Sequence, residues 1–197
     1  MVQHTRGGAS AAASWVWNAD LSQDHKRNYS RFIERFPLST FTRDTEDSLD
    51  ATESNDGVAL PPHLRRLRSA LAFVHPPLLV QFDSYDYNIE MSEVEVEIWY
   101  ALGLGQAGDE TRAAFLEHAH GYVVGGWHGS DDSYLMVDIR NMDDERIFEC
   151  GGDDLAYAVE DGSPVKKIVK PAFASYSSML SHIVAMRTWQ GEITRAR

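Results

Sequence analysis

The sequence predicts an α+β fold in which a mainly antiparallel sheet is flanked by helices and preceded by a flexible, acidic N-terminal region. Three observations predict this class. Hydrophobic residues make up 43% of the 197 residues, which is enough for one domain with a core. Apolar residues recur with helical spacing near both ends of the chain. Short apolar runs separated by turn residues follow Gly121, as in a sheet of short strands.

The N-terminal part of the chain divides into segments of different composition. Residues 1–14 are small and polar, so we predict a disordered tail. Residues 15–37 carry apolar residues on one helical face, which predicts a helix that ends at Pro37. Residues 38–59 are rich in acids, Ser and Thr, which predicts a mobile acidic linker and leaves residues 60–190 as a single α+β domain. The apolar face of the helix consists of Tyr29, Phe32, Ile33 and Phe36.

Two further elements are predicted between residues 61 and 82. Pro61 and Pro62 open a helix whose apolar stripe faces the core and whose arginines cover the solvent side. The run from Leu78 to Phe82 is short, apolar and preceded by prolines, which is typical of a buried strand. The stripe of the helix consists of Leu64, Leu67 and Leu71, and its arginines are Arg65, Arg66 and Arg68.

The segment from Ser92 to Leu104 supports two interpretations. Its apolar residues alternate with glutamates, as in a strand, whereas Ser92 and Glu95 have the spacing of a helical capping box. We favour a helix. A further helix is predicted from Asp109 to about His118, because Asp109 is a good cap and an apolar run follows it.

Beyond Gly121 the pattern changes to short apolar runs and turns, which predicts an antiparallel meander. An amphipathic helix follows. It begins near Ser175 and carries Arg187 and Trp189 in its last turn. The predicted strands cover residues 122–124, 134–139, 146–150 and 166–169.

Charge and cysteine content exclude several classes of function. Eighteen basic residues stand against thirty acidic ones, for a formal net charge of −12. Such a chain repels the nucleic-acid backbone and an anionic membrane surface, so a basic protein is the charged partner that it favours. The single cysteine, Cys150, excludes an intrachain disulfide and favours a reducing compartment, so we expect a cytoplasmic protein. No apolar run is long enough for a membrane-spanning helix.

Acidic residues concentrate between positions 131 and 161, where eleven acids stand with two arginines. Adjacent carboxylates in polar turns project in different directions, so they are poor candidates for paired acid–base catalysis. They do concentrate negative potential on one part of the fold, which predicts a binding surface for a basic protein. The predicted partner-binding residues are Asp131, Asp132, Asp143, Asp144, Glu145, Asp153 and Asp154.

One group of histidines suggests catalysis instead. Imidazole and carboxylate side chains within a short stretch can hold a metal such as zinc, and a metal-bound water can be activated for hydrolysis. A small metal-dependent hydrolase is therefore an alternative, although the spacing matches no zinc signature and separate surface histidines explain it more simply. Cys150, in a predicted strand, is interpreted as a buried structural cysteine rather than a nucleophile. The alternative metal ligands are His118, His120, His128 and Asp131.

Four segments of the C-terminal half carry a family resemblance. They are an approach strand with its glycines (Val123 to Gly126), a strand after a polar turn (Ser133 to Asp138), a second strand (Arg146 to Phe148) and the opening of the last helix (Ala174 to Leu180), where an alanine and a serine precede an aromatic residue. In this order residues 122–186 resemble the core of the SUKH superfamily, which contains Smi/Knr-type cell-wall regulators and many bacterial immunity proteins. The resemblance covers about a third of the chain.

The resemblance to the SUKH superfamily implies a SUKH-like sheet that serves as a binding platform, without catalysis and without a cofactor. It also implies a function that is frequent in that family, the neutralisation of a toxin nuclease encoded next door. We therefore predict a non-catalytic protein-binding domain, and more specifically an immunity protein that binds a basic, nuclease-type toxin. A regulatory scaffold protein of the same fold, with the acidic linker as a docking tail, is a second alternative.

Overall fold

The computed structural model describes most of the chain, and its elements form two antiparallel sheets with helices packed against them. The predicted α+β class is confirmed. The described residues are 4–75, 78–81, 95–98, 109–128, 133–185 and 187–189. The helices are α1 (Ala9–Asn18), α2 (Gln23–Arg35), α3 (Glu46–Asp56), α4 (Pro62–Ala70), α5 (Asp109–Ala114), α6 (Gly152–Glu160) and α7 (Tyr176–Ala185), with a π-helix (Phe115–Ala119) and a 3₁₀ helix (Val165–Lys167). The strands are β1 (His4–Gly7), β2 (Thr40–Asp44), β3 (Phe73–His75), β4 (Leu78–Gln81), β5 (Glu95–Ile98), β6 (Gly121–His128), β7 (Ser133–Asp138), β8 (Ile147–Gly151), β9 (Lys170–Phe173) and β10 (Arg187–Trp189).

The strands form a small sheet with the order β1-β2-β3 and a large sheet with the order β10-β4-β5-β6-β7-β8-β9. Neighbouring strands within the described residues pair antiparallel, so the predicted meander from β6 to β9 is confirmed. Met136 lies opposite Phe148, and Tyr134 lies opposite Cys150. These four residues therefore share one face of the sheet.

Side-chain alternation gives the large sheet two apolar faces. On the first face, Leu135 and Val137 pack with residues of α1, α2, α4 and α7 in the main core. On the second face, a smaller core forms around Phe115 and Met136. The main core draws side chains from both ends of the described chain. The N-terminal elements therefore belong to the same core as the predicted domain of residues 60–190.

Helix α2 packs against α7, although the two helices lie far apart in the sequence. Asn28 Nδ2 donates a buried hydrogen bond to Ser177 Oγ at 2.7 Å, and Ser177 Oγ donates to Asp24 Oδ2 at 2.6 Å. The helix ends at Arg35, just before Pro37, as the sequence predicts. Its buried face consists of the predicted residues Tyr29, Phe32, Ile33 and Phe36.

The N-terminal residues fold from residue 4 onwards, whereas the sequence predicts a disordered tail. Strand β1 pairs with β2, and α1 buries Ala12 and Val16 in the main core. The helix predicted over residues 15–37 is two helices, because Ser22 Oγ accepts from the His25 N–H at 3.2 Å and caps a new start. Small alanines suit close packing as well as disorder, so composition alone did not distinguish the two.

The segment predicted as a mobile acidic linker, residues 38–59, contains β2 and α3 instead. Helix α3 begins with a capping box in which Thr45 Oγ1 accepts from the Ser48 N–H and Ser48 Oγ accepts from the Thr45 N–H. It ends at Gly57, whose φ of 68° lies in the left-handed region. Leu49 is buried beneath it. The acids thus lie on the polar side of a folded helix rather than in a mobile linker, and the scaffold role proposed for this segment stays a prediction.

Three of these acids bind Arg65 of α4. The guanidinium donates to Glu46 Oε2 at 2.6 Å, to Asp50 Oδ1 at 2.8 Å and to Glu53 Oε2 at 2.7 Å. Hydrogen bonds from Arg65, first to Asp50 and then to Glu46, raise the pKa of its guanidinium. The acids recur at spacings of four and three residues, so they lie on one face of α3. Helices α3 and α4 are therefore joined by charge.

Arg68 is buried, although the sequence places it on the solvent side of α4. Its Nε lies 2.5 Å from Asp44 Oδ2, and the two side chains are 2% and 0% exposed. Nη1 donates to the Tyr122 hydroxyl at 3.2 Å, and that hydroxyl donates to Asp56 Oδ2 at 3.4 Å. Of the three arginines predicted on the solvent side, Arg66 alone is exposed. The network joins α4, β2, β6 and α3 through one buried charge pair.

Strand pairing decides the conformation at three places where the sequence prediction differs. β5 pairs with β4 and β6, so the helix favoured for residues 92–104 is wrong at the described residues. β10 pairs with β4, whereas Arg187 and Trp189 are predicted in the last turn of a helix. β9 begins at Lys170, beyond the predicted strand at residues 166–169. In each case a partner strand that is distant in sequence overrides the local pattern.

Other predicted elements are confirmed. The strands β4, β7 and β8 lie where apolar runs predict them. α5 and the π-helix together fill the helix predicted from Asp109 to about His118. α4 buries its predicted stripe of Leu64, Leu67 and Leu71. In the described stretches, no helix is both long and apolar enough to cross a membrane.

Candidate binding surfaces around the π-helix

Among the described residues, short elements cover the second face of the large sheet. The cover consists of α5, the π-helix, α6 and the 3₁₀ helix, of which α6 is the longest at nine residues. Phe115 is fully buried beneath them, with its ring centroid 5.1 Å from that of Tyr134. Such short elements leave gaps over the sheet. Two concavities result, and His118 lines both.

The backbone is unusual where the π-helix ends. His120 has a φ of 50° and a ψ of 32°, in the left-handed region. Its N–H bonds to the Phe115 carbonyl oxygen, and its own carbonyl oxygen accepts from the Ile139 N–H at 3.0 Å. A Cβ on Gly121 would lie 2.0 Å from Met136 Sδ, so the Met136 side chain packs directly against the backbone at the start of β6. π-helical turns and left-handed non-glycine residues are both enriched at functional sites.

The larger concavity lies between α6 and the run of α5 and the π-helix, and we call it the acidic groove. Its volume is about 550 Å³. Exposed carboxylates of Glu110, Asp153 and Glu160 border it, and its described lining contains no lysine or arginine. The apolar floor consists of Ala114, Phe115, Tyr134, Leu155, Ala156 and Val159.

Helix α6 contributes both negative charge and apolar surface at the acidic groove. Asp153 lies in the first turn of α6, where the helix dipole favours a carboxylate. Val159 lines the groove and is 41% exposed, while Tyr157 on the same helix is 64% exposed. Apolar side chains left in solvent beside a charged rim are typical of a surface that another molecule covers.

The smaller concavity lies where the end of the π-helix meets β7, β8 and the 3₁₀ helix, and we call it the cationic pocket. Its volume is about 230 Å³. Among its lining residues one acid, Asp138, stands with four residues that bear basic side chains. These basic residues are His118, His120, Arg140 and Lys166. The apolar lining consists of Ala119, Met136, Phe148, Val165 and Val169.

Asp138, the acid of the cationic pocket, forms an ion pair with Arg140. Arg140 Nη2 donates to Asp138 Oδ2 at 2.7 Å, Arg140 Nε donates to Asp138 Oδ1 at 3.0 Å, and the Arg140 N–H adds a third bond at 2.9 Å. The Arg140 hydrogen bonds hold the pKa of Asp138 below its usual value, and the nearby His120 acts in the same direction. Asp138 is therefore ionised at neutral pH and neutralised by its neighbour.

The structure divides the predicted partner-binding acids into two groups at opposite ends of β8. A five-residue strand spans about 17 Å, so the described acids do not form a single cluster. The second group borders the acidic groove through Asp153, whereas the first does not reach it. The first group is Asp143, Asp144 and Glu145, the second is Asp153 and Asp154, and Asp131 and Asp132 lie outside the described residues.

The first group is partly matched by positive charge. Arg146 Nη2 lies 2.6 Å from Asp144 Oδ2, and this hydrogen-bonded pair holds the pKa of Asp144 below its usual value. His63 Nδ1 donates to the Met142 carbonyl oxygen at 3.3 Å, which ties the turn to α4. Burial lowers the pKa of His63, and the negative charge of Glu145 opposes that shift. This end of β8 therefore offers a partner less free negative charge.

Of the four alternative metal ligands, the structure describes the side chains of His118 and His120, which line the cationic pocket together. His118 Nε2 lies 3.9 Å from Glu117 Oε2, and His120 is exposed at the end of the π-helix. His128 is the last residue of β6, and Asp131 lies outside the described residues. Across the described ranges, no three His, Cys, Asp or Glu side chains are grouped so as to hold a metal ion. The hydrolase stays a prediction, which elemental analysis of the purified protein would test.

Cys150 is buried in β8, which confirms its interpretation as a buried strand cysteine. Burial, with the charges of Asp154 and Glu149, raises the pKa of its thiol to about 11. Since the thiolate is the reactive form, we expect the folded protein at about pH 8 to react with a thiol reagent at least a hundredfold more slowly than the urea-unfolded chain. Absorbance after addition of an aromatic disulfide reagent measures this. Equal rates in both states would contradict it.

Several residues of the two concavities were not among the predicted site residues. Glu110 and Glu160 complete the border of the acidic groove, and Lys166 lines the cationic pocket. A signal for α6 was present, because Leu155 and Ala158 stand at helical spacing and both are buried. No local sequence pattern, however, predicts that α6 lies beside α5 and the π-helix.

No protein-family model, curated protein or solved structure matches the chain. Fold and site together define a mixed α+β domain in which residues on one sheet face join the main core and the other face carries two open concavities. Any functional conclusion therefore depends on the chemistry of those concavities.

Proposed function

We propose that this chain is a non-catalytic protein-binding domain whose acidic groove receives a basic segment of its partner. The observation that carries the proposal is the make-up of the groove, in which three exposed carboxylates surround an apolar floor without a described lysine or arginine in the lining. Burial of an apolar side chain on that floor contributes about 25 cal/mol per Å². The carboxylates then select lysine or arginine beside it.

The charge of the whole chain acts in the same direction. A formal net charge of −12 steers a basic partner towards the protein and repels an acidic one. Exposed carboxylates are each worth little in water, so the affinity depends on the apolar anchor while the charges set orientation and association rate. Complex formation should therefore slow as salt is raised, because the screening length falls to about 10 Å at 0.1 M.

The more specific proposal is an immunity protein that acts in the cytoplasm on a basic, nuclease-type toxin. The resemblance of residues 122–186 to the SUKH superfamily supports this role. The charge agrees with it, because a nuclease holds the nucleic-acid backbone with Lys and Arg. A domain that covers such a basic surface blocks substrate binding without any chemistry of its own.

The test uses the basic protein encoded beside this chain's gene, with calorimetry for binding and co-expression for protection. The variant Asp153→Lys/Glu160→Lys is expected to weaken binding at least tenfold, about 1.4 kcal/mol, and to abolish protection. The matched control is Glu34→Lys/Asp47→Lys, which reverses two exposed acids on α2 and α3 and changes the net charge equally. This control should retain protection.

A second comparison separates the two acidic groups. The variant Asp143→Lys/Glu145→Lys is expected to change binding by less than about twofold, because this turn lies away from the groove. Equal weakening by the groove variant and by the α2/α3 control would contradict the groove as the docking site. Co-expression without protection would contradict the toxin role.

A further inference from the structure

We infer that the cationic pocket is a binding site for a small organic carboxylate with an apolar, single-ring body. This site shares His118 with the proposed protein-binding groove, but neither proposal depends on the other. Two observations carry it, the local reversal of charge and the combination of volume with an apolar floor.

The charge of the pocket opposes that of the chain. Acids outnumber bases thirty to eighteen overall, yet Asp138 is the one acid among the described lining residues of the pocket. Arg140 neutralises it with Nε and Nη2, which leaves Nη1 outside that ion pair. Lys166 then adds a positive charge beside the imidazoles of His118 and His120, and no ion pair joins it to another residue in the described part of the chain. A concave, partly apolar site of this sign attracts an anion.

The volume and the floor limit what that anion is. A volume of about 230 Å³ exceeds the cavity of about 150 Å³ that holds benzene, and lies below the roughly 300–1,000 Å³ of sites for drug-sized ligands. Met136 and Phe148 pair across the sheet beneath it, and Val165 and Val169 close one side. An apolar ring fits this floor, whereas inorganic phosphate would leave it uncovered.

The chemistry excludes a cationic ligand in the same place. Asp138 already accepts three hydrogen bonds from Arg140, so it has little to offer a metal ion or an amine. A carboxylate matches both cations, because the lysine ammonium is a compact positive charge and the guanidinium presents N–H donors in a plane. The ligand therefore places its carboxylate among Lys166, Arg140 and the histidines, and its ring on the floor.

The left-handed backbone at His120 provides a suitable variant. Glycine adopts that conformation without strain, so His120→Gly removes an imidazole from the pocket and keeps the fold. Lys166→Met keeps the length of the side chain and removes its charge. Lys167→Met is the matched control, because Lys167 is the exposed neighbour and does not line the pocket.

The experiment titrates the full-length protein with benzoate, using two-dimensional NMR to follow the amides of Gly121 and Met136. We expect saturable binding of benzoate, binding of neutral benzamide at least tenfold weaker, and no saturation by inorganic phosphate. Lys166→Met and His120→Gly should each weaken benzoate binding, the former about tenfold, because each removes a donor to a charged group. Lys167→Met should leave it unchanged.

Three results would overturn the inference. They are the absence of saturable benzoate binding, equal affinity for benzoate and benzamide, and an equal effect of Lys166→Met and Lys167→Met. Thermal unfolding of each variant beforehand shows that the pocket being titrated belongs to a folded protein.

Discussion

Replacement of Arg68 by methionine is expected to lower the free energy of unfolding by about 3–5 kcal/mol. The variant removes the partner of Asp44, a carboxylate that is fully buried in the folded protein. It also removes the donor to the Tyr122 hydroxyl. A domain of this size has a total stability of about 5–15 kcal/mol, so this change alone removes a large share of it.

The measurement is urea denaturation followed by tryptophan fluorescence. Arg66→Met serves as the control, because Arg66 is exposed on the same helix and its loss should cost less than about 0.5 kcal/mol. A double variant, Arg68→Met with Asp44→Leu, should recover a large part of the lost stability, since no charge then remains buried without its partner. Equal stability of the Arg66 and Arg68 variants would show that the pair contributes nothing.

Replacement of Phe115 by alanine is expected to lower the free energy of unfolding by about 3–5 kcal/mol. Phe115 is fully buried in the smaller core and its ring contacts that of Tyr134. The space that the missing ring leaves lies beneath the π-helix. The elements that form the acidic groove and the cationic pocket therefore lose a side chain on which both pack. We therefore expect benzoate and partner binding to fall together in this variant.

Urea denaturation again measures the loss, with Leu116→Ala as the matched control. Leu116 is the next residue of the same π-helix, but it is only partly buried, so its truncation should cost less than half as much. A larger loss of stability in Phe115→Ala than in Leu116→Ala would show that the π-helix depends on the Phe115 ring. If both variants lost the same stability, the smaller core would not depend on the Phe115 ring.

The sequence predicted the elements that bury a regular apolar pattern, and it failed where partners are distant. Helix α4 was predicted from its leucines. Arg68, which is buried, stands four residues after Leu64 on the same helical face, whereas Arg66, which is exposed, lies on the opposite side; composition alone does not tell that a charged residue on the apolar face finds a buried partner. The difference arises because Asp44 of β2 meets only one of them. Composition also failed to predict helix α3. Its start is fixed by the capping box of Thr45 and Ser48, whereas the acids of the same segment predict a linker.

The candidate site was predicted in part for the same reason. Asp153, which was predicted from its charge, borders the acidic groove, and His118 and His120, which were predicted as alternative metal ligands, line the cationic pocket. Their place in the cationic pocket depends on sheet register, which brings Asp138 beside Gly121, and on the 3₁₀ helix that supplies Lys166. The spacing of residues within one segment determines neither the sheet register nor the position of the 3₁₀ helix, so the pocket could not be predicted from the sequence.

The packing of α2 on α7 has a consequence for how the protein is made. Asn28 and Ser177, which join the two helices, lie 149 residues apart. At a synthesis rate of about 5–20 residues per second, the apolar face of α2 waits roughly 7 to 30 seconds for its partner. During that time the apolar face of α2, with Tyr29 and Phe32, lacks the cover that α7 gives it in the folded protein. Completion of the main core is thus a late event on the ribosome.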